Sequence, residues 1–343
     1  MKSLLFIINP KSGTDKKIYI RYCIGRYIDT ELYNYQIRYT EYAGHAEDLA
    51  REAAANNIDI VVAVGGDGTI NEVARALIHT NTALAIIPCG SGNGLARHLQ
   101  IPIDPVGAIK IINASCIKPL DFGVMNNIPF FCTCGMGFDA FVSMKFAQSG
   151  KRGLISYIEN TLRETLNYQP DTYTIKFDEQ SVSQKAFVIA CANASQYGNN
   201  AYIAPFASMS DGLMDITMLE PFTAIEAPQL ALQLFNGTLH TNSRVKTFRA
   251  KHIVITRNGN AAVHCDGDPL FTEQTIDVRI EHKGINIVVN PEGAPRRHNL
   301  MQVFSDQISE LPQHMQELQA EIAQTEKSLK QLNKSVLDKL KKL

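Results

Sequence analysis

The sequence has no hydrophobic run long enough to cross a membrane. Its opening apolar stretch, Leu4-Leu5-Phe6-Ile7-Ile8, is cut by Asn9-Pro10 and is too short for a span or a signal core, so the chain reads as cytoplasmic. It has no excess of basic charge either. Lys and Arg total 33 against 34 Asp and Glu, which excludes the global positive field that nucleic-acid binders use; an anionic partner must be held locally. Cysteine is scarce and scattered. The seven residues (23, 89, 116, 132, 134, 191 and 265) form no CxxC pair and no zinc spacing, and read as reduced thiols filling a core. No Walker sequence GxxxxGK[ST] occurs, so the chain is not a P-loop NTPase.

What is present is an ordinary globular balance. Apolar residues make up 45% and charged residues 20% of 343 positions, enough for two domains and an accessory tail. Runs 3–8, 34–40, 59–64 and 83–88 read as strands, separated by helical stretches at 44–56 and 69–79. That alternation predicts a wound parallel α/β domain over 1–124. After Leu120-Asp121-Phe122-Gly123 the texture changes to short strands at 128–134, 172–178, 185–193, 213–219, 252–257, 261–265, 275–281 and 284–290, with helices near 138–147, 153–167 and 223–235. A mostly antiparallel second domain is expected over 125–292.

The tail, 305–343, is a different object. Leu311, Met315, Leu318, Ile322, Thr325, Leu329, Leu332, Val336 and Lys339 alternate steps of four and three, a coiled-coil pattern with two weak positions. Two readings stand: self-association of the protein through this helix, or an amphipathic helix docked on its own chain.

In a parallel α/β sheet the ligand lies beyond the carboxyl ends of the strands, and the glycines sit at those ends. Val61-Val62-Ala63-Val64 runs into Gly65-Gly66-Asp67-Gly68-Thr69, where glycines let backbone N–H groups approach a phosphate at a helix start. Asp67 cannot itself favour a phosphate, so it is a candidate for Mg²⁺ or for a proton. Gly90-Ser91-Gly92-Asn93 repeats the arrangement, with Ser91 and Asn93 able to bond phosphate oxygens or cap the next helix. Asn9-Pro10-Lys11-Ser12-Gly13 follows the first strand with a lysine, a hydroxyl and a glycine. Far downstream, Asp266-Gly267-Asp268 places two acids across a glycine at a strand end. That suits a proton acceptor beside a metal ligand, and equally a hairpin turn.

Taken in order, NPKSG at 9–13, Thr40 followed by Gly44-His45-Ala46, GGDGTINEV at 65–73, PCGSGN at 88–93 and DGD at 266–268 resemble the diacylglycerol kinase catalytic family, which includes bacterial lipid kinases and sphingosine kinases. The resemblance spans about residues 1–292. It implies a phosphofructokinase-like nucleotide domain, a β-sandwich lipid domain, and transfer of the γ-phosphate of ATP, with Mg²⁺, to a hydroxyl of a membrane lipid at the inner membrane surface. Asn9, Lys11, Ser12 and Thr40 would surround the nucleotide, while Gly65, Gly66, Gly68, Thr69, Ser91, Gly92 and Asn93 would face its phosphates. Asp266 would be the general base and Asp67 the organiser of Mg²⁺, although some members give the base's duty to the acid matching Asp67; Asp268, where the family usually has Glu, would be a shorter metal ligand. Ser210-Asp211-Gly212-Leu213 resembles a structural-metal turn in bacterial members, with Asp211 a ligand and Asp215 nearby. Lys151-Arg152 matches basic residues near the phosphates or the lipid. The GSGN loop is more like that of long-chain-base kinases than the GTxND loop of bacterial diacylglycerol kinases. With Asp139 available to pair with an ammonium, or else to cap a helix, a long-chain base is expected over diacylglycerol. NAD kinase, a sugar kinase and a non-catalytic lipid-binding protein are the competing readings.

Overall fold

The computed structural model describes residues 1–11, 17–149, 168–177, 179–223 and 225–292. Its first half is wound as β1 (Lys2–Ile8), α1 (Lys17–Tyr27), β2 (Tyr33–Tyr39), α2 (His45–Ala55), β3 (Ile60–Gly65), α3 (Asp67–Leu77) and β4 (Ala83–Pro88), followed by α4 (Gly94–His98) and α5 (Pro105–Ala114). β3 and β4 are buried along their whole length, because helices cover both faces of a parallel sheet and leave no polar face. β2, at the edge, alternates buried and exposed positions and carries Tyr, Asn, Gln and Arg. α5 starts where Asp104 accepts the Gly107 N–H at 2.7 Å with Pro105 in the first turn, and it ends at the left-handed Ser115.

The second half contributes β5 (Ile117–Met125), β6 (Ile128–Phe130), β7 (Thr133–Gly137), α6 (Phe138–Ser149), β8 (Asp171–Phe177), β9 (Gln180–Ala186), β10 (Val188–Ala192) and β11 (Met214–Leu219). It continues with α7 (Ala227–Phe235), β12 (Val245–Ala250), β13 (His252–Arg257), β14 (Ala261–Cys265), β15 (Asp268–Thr272) and β16 (Thr275–Val288). Among the described residues one sheet runs β2-β1-β3-β4-β16-β13-β8-β9, with β5 and β6 paired off this path, and a second runs β12-β11-β10-β7-β14-β15. Ile175, Ile253, Ile255 and Val278 of the first sheet share a buried core with Met136, Ile189, Met214 and Val263 of the second, so the two pack as a sandwich. The expected α/β class, parallel half plus antiparallel half, holds. The helix expected at 153–167 and the tail helix lie outside the described residues.

Two expected strands turn out differently. The run 185–193 is broken at Phe187, whose N–H bonds Leu219 and whose carbonyl accepts from Phe138, where the chain passes from the first sheet to the second. The runs 275–281 and 284–290 are instead parts of one bent strand. β16 pairs antiparallel with β13 at its start, and at Ile287 lies parallel to Leu84 of β4, so a single strand serves both lobes.

The bend in β16 lies between Glu281 and Ile285, with Lys283 left-handed at φ 55°. Its anchor is Asp121 on β5, fully buried. One carboxylate oxygen accepts the Gly212 N–H at 2.7 Å, and the other accepts the Lys283 N–H at 2.8 Å beside the His282 Nδ1 at 2.8 Å. Asp121→Ala should leave these donors without an acceptor and lower unfolding stability by about 3 kcal/mol. Urea melts of both proteins measure it, and a loss under about 1 kcal/mol would mean that the bend holds without this carboxylate.

Candidate active site

Three loops meet at the carboxyl ends of β1, β3 and β4. Two of them touch through bare backbone: a Cβ on Gly90 would lie 2.8 Å from the Gly66 Cα, and one on Gly65 would lie 2.6 Å from the Thr69 side chain. Glycine is required here by close approach rather than by flexibility. Asp67 then ties the loops. Its Oδ2 accepts the Asn93 N–H at 2.9 Å and its Oδ1 the Gly94 N–H at 2.7 Å, so an acid of α3 caps the first turn of α4. Asn93, left-handed at φ 53°, exchanges two hydrogen bonds with Gly90, donating at 2.7 Å and accepting at 2.9 Å. Its side chain therefore staples its own loop, a use other than the expected phosphate contact. Ser91 is exposed, and Gly92 rests against Asp67.

Around this pair, Asn9 donates from Nδ2 to the Thr69 hydroxyl at 2.9 Å and accepts the Lys11 N–H at 2.9 Å, while the Lys11 side chain is exposed. Thr40 is buried and donates its N–H to Ile8 at 3.0 Å. Ser12 lies outside the described residues, as do Lys151 and Arg152. Sequence reasoning missed Glu72, which accepts the Gly44 and Ala46 N–H groups at 3.0 and 3.2 Å and so closes the start of α2. Its signal was its place in GGDGTINEV. Asp67 and Glu72 thus cap α4 and α2, whereas among the described residues no side chain accepts from the first turn of α3, and apart from Gly68's own helix backbone and chain neighbours none of their atoms lies within 4 Å of a Cβ built on Gly68. N–H groups left open at a helix start suit an anion.

Across from these loops, Asp266 follows β14 in a left-handed conformation at φ 50°. Its Oδ2 accepts the Phe131 N–H at 2.8 Å, and its Oδ1 accepts those of Cys132 at 2.7 Å and Thr133 at 3.0 Å. Loss of water outweighs these three donors and pushes its pKa up to about 6. Cys132 connects the two sides of the site. Burial pushes its thiol pKa well up, and the charges of Asp266 and Asp67 both add to that push, so both acids lie near this residue. Arg75 of α3 reaches Asp268 at 3.5 Å, and the Asp268 side chain is otherwise 63% exposed.

Two expected roles do not match the geometry. Asp139, expected to present a free carboxylate at a mouth or to cap a helix, is only 8% exposed. It accepts the Ala140 N–H at 2.7 Å on Oδ1, and bonds from the Tyr197 hydroxyl and His264 Nε2, each 3.1 Å, on Oδ2. Asp211, expected to hold a structural metal, is ion-paired with Arg249, which also reaches Asp215 at 3.3 Å. A guanidinium already neutralises these acids, and among the described residues no three His, Cys, Asp or Glu side chains group as a metal site. The structural metal does not fit there.

The sequence also gave no warning of segment 193–204, which spans the site. Its Asn199 N–H bonds the Gly92 carbonyl at 3.1 Å, and Gly198, at φ 117°, packs on Gly92 so closely that a Cβ would sit 3.1 Å away. His98 of α4 accepts the Ser195 N–H on Nδ1 at 3.1 Å, with the Ser195 hydroxyl at 3.0 Å. Burial pulls its pKa down to about 4.

Comparisons with known proteins agree with this arrangement. Residues 3–125 match the diacylglycerol kinase catalytic domain, and residues 132–289 match the YegS C-terminal NAD kinase beta sandwich-like domain. A protein of Chromohalobacter salexigens named "Probable lipid kinase YegS-like" is 27% identical over 78% of this chain and 87% of its own length. A diacylglycerol kinase of Bacillus subtilis is 25% identical over 78% and 90%. The crystal structure of a diacylglycerol kinase from Bacillus anthracis superposes with a TM-score of 0.67 at 23% identity, covering 85% of this chain and 98% of that one, and so shares its fold.

The His98 contact makes a pH prediction. Its folded pKa is depressed, so its contribution to stability is fully present above its ordinary value of 6.5 and is lost as pH falls toward about 4. The denaturation midpoint of the unmodified protein should fall faster across that window than that of His98→Asn, which offers a similar acceptor and does not titrate. Parallel pH dependences would rule out this role for His98.

Proposed function

Since this chain belongs to the diacylglycerol kinase catalytic family and is a lipid kinase, we propose that it moves the γ-phosphate of ATP onto the hydroxyl of a neutral membrane lipid. The observation that carries the reading is that Asp266 accepts the Cys132 N–H at 2.7 Å while the buried Cys132 thiol also feels the charge of Asp67, the acid that ties the glycine loops beside the first turn of α3. Phosphoryl transfer needs alignment and charge neutralisation more than covalent chemistry. The phosphates would lie on the free N–H groups at Gly68 and Thr69. The acceptor hydroxyl would give its proton to Asp266 as its oxygen bonds the γ-phosphorus and the bond to the β–γ bridging oxygen breaks, releasing ADP. A pKa near 6 suits that task, since the carboxylate is ionised at neutral pH and still basic.

Mg²⁺ fits one part of this site. Each Asp67 oxygen accepts a single backbone N–H and keeps a lone pair, so Asp67 would be the carboxylate that holds Mg²⁺ beside substrate phosphates, while Asp268, expected as a second ligand, is exposed and paired with Arg75 at 3.5 Å. When bound it would neutralise phosphate charge.

The choice of acceptor turns on Asp139. An ammonium-bearing long-chain base needs an accessible acid near its headgroup, and Asp139 is 8% exposed, with its hydrogen bonds to Ala140, Tyr197 and His264 turned inside the protein, whereas Asp266 is partly exposed. Without Asp139 at the headgroup we favour a neutral alcohol of the diacylglycerol kind. Such a substrate requires contact with a bilayer surface. No helix among the described residues is long and apolar enough to cross a membrane, and α1 leaves Ile18, Tyr19 and Tyr22 exposed beside Arg21 and Arg26, a composition suited to a lipid interface.

Radiolabelled ATP with diacylglycerol and sphinganine, each in mixed micelles, tests the reading. Label should enter diacylglycerol, and faster labelling of sphinganine would restore the long-chain-base assignment. Asp266→Asn should lower kcat on the order of 10²-fold or more in a protein that still folds. In the unmodified enzyme kcat/KM should fall as pH drops through about 6, because the protonated carboxyl cannot accept the proton. An Asp266→Asn enzyme of near normal rate would remove Asp266 from the mechanism.

A further inference from the structure

We propose that the buried Asp139 and His264, with the half-buried Tyr197, form a chain of positioning residues that holds the Asp266 turn in place and links it to the nucleotide loop. The inference rests on the kinase reading above and gives Asp139 a role inside the protein, where the sequence suggested a contact with substrate.

The chain starts at the turn itself. Gly267, at φ 87°, donates its N–H to His264 Nδ1 at 3.3 Å, so Nδ1 is an acceptor and the ring proton sits on Nε2. Nε2 then donates to Asp139 Oδ2 at 3.1 Å, and this same oxygen accepts the Tyr197 hydroxyl at 3.1 Å. Oδ1 is fixed by the Ala140 N–H, so the carboxylate has a set orientation at the start of α6. Tyr197 brings the chain to the other loop. Its carbonyl oxygen would lie 3.2 Å from a Cβ on Gly94, and the next two residues pack on and hydrogen-bond Gly92. One connected path thus runs from the loop facing the phosphates to the turn carrying the proposed base.

Room for the path is made by a missing side chain. Gly135 of β7 stands directly across from His264 in the sheet, and a Cβ there would lie 2.8 Å from His264 Nε2 and closer still to the Asp139 carboxylate. The imidazole can therefore lean across β7 to reach α6. His264 is 2% exposed and Asp139 8%. Apolar residues of the same size would fill this space without the desolvation that a buried acid and imidazole incur. The polar chain is explained by what stands at its two ends. The Asp266 carboxylate must lie within hydrogen-bond reach of the acceptor hydroxyl, and a shift of about 1 Å in such a group can lower the rate on the order of 10²-fold.

The test is a set of variants assayed for ATP-dependent lipid phosphorylation. His264→Leu should lower kcat by about 10- to 100-fold, with KM for ATP within about twofold of normal, because Asp67 builds the nucleotide loop independently. His264→Asn, which can still accept the Gly267 N–H and loses the donor to Asp139, should recover only part of that loss. Tyr197→Phe, a change that removes only the hydroxyl, should lower kcat by a smaller factor and carries the test if His264→Leu does not fold. The double variant should lose no more than His264→Leu alone, as members of one chain do. A normal kcat in both single variants, additive losses in the double variant, or no recovery in His264→Asn would overturn the proposal. Amide exchange at Gly267 reads the same positioning without turnover and should be faster in His264→Leu; equal rates count against the chain. If the unmodified protein phosphorylates no lipid, the kinase reading fails while this exchange measurement still decides the geometry.

Discussion

Asp121 holds the constraint on which both lobes depend. It is a buried carboxylate satisfied by two backbone N–H groups and a ring nitrogen. An acid in that position is tolerated only because its acceptor sites are filled, and the donors that fill them belong to the bend of β16 and to the Gly212 turn. With the bend fixed, one strand can run beside β13 in the sandwich and end beside β4 in the parallel half. β4 leads directly into the Gly90 loop. The proposed base and the proposed phosphate site are thus fastened to one framework, Asp266 through the sandwich and Gly90 through the parallel sheet.

The parts of this fold that could be read from sequence are those whose cause is local. Fully buried parallel strands give unbroken apolar runs, as at Val61–Val64, and glycines that allow two backbones to touch must be glycines, as at Gly66 and Gly90. β16 was legible only as two pieces, since Lys283-Gly284 reads as a breaker and nothing nearby reveals that Asp121, far away in the chain, accepts the Lys283 N–H. The Phe187 corner was hidden for a similar reason. An apolar residue between two apolar strands carries no mark that the sheet changes there.

The same limit explains the site residues whose roles changed. Asp139 at the start of a helix looks available in sequence, yet its partner His264 lies 125 positions away, and only the fold brings them together. Asp211 matched a metal turn until Arg249, 38 positions on, came alongside it. A motif fixes the identity of an acid. What neutralises that acid is decided by tertiary packing.

This distinction bears on how a phosphate-binding loop can carry a carboxylate at all. An unpaired acid at Asp67 would repel the anion that the glycines are shaped to receive. The structure turns that charge toward α4, where two N–H donors and the positive end of a helix receive it, and it does the same with Glu72 at α2. Among the described residues, the first turn of α3, beside Gly68, meets no side-chain acceptor. On the proposed reading, these carboxylates leave the first turn of α3 as the helix start open to an anion, so the two acids of GGDGTINEV matter as much as its glycines.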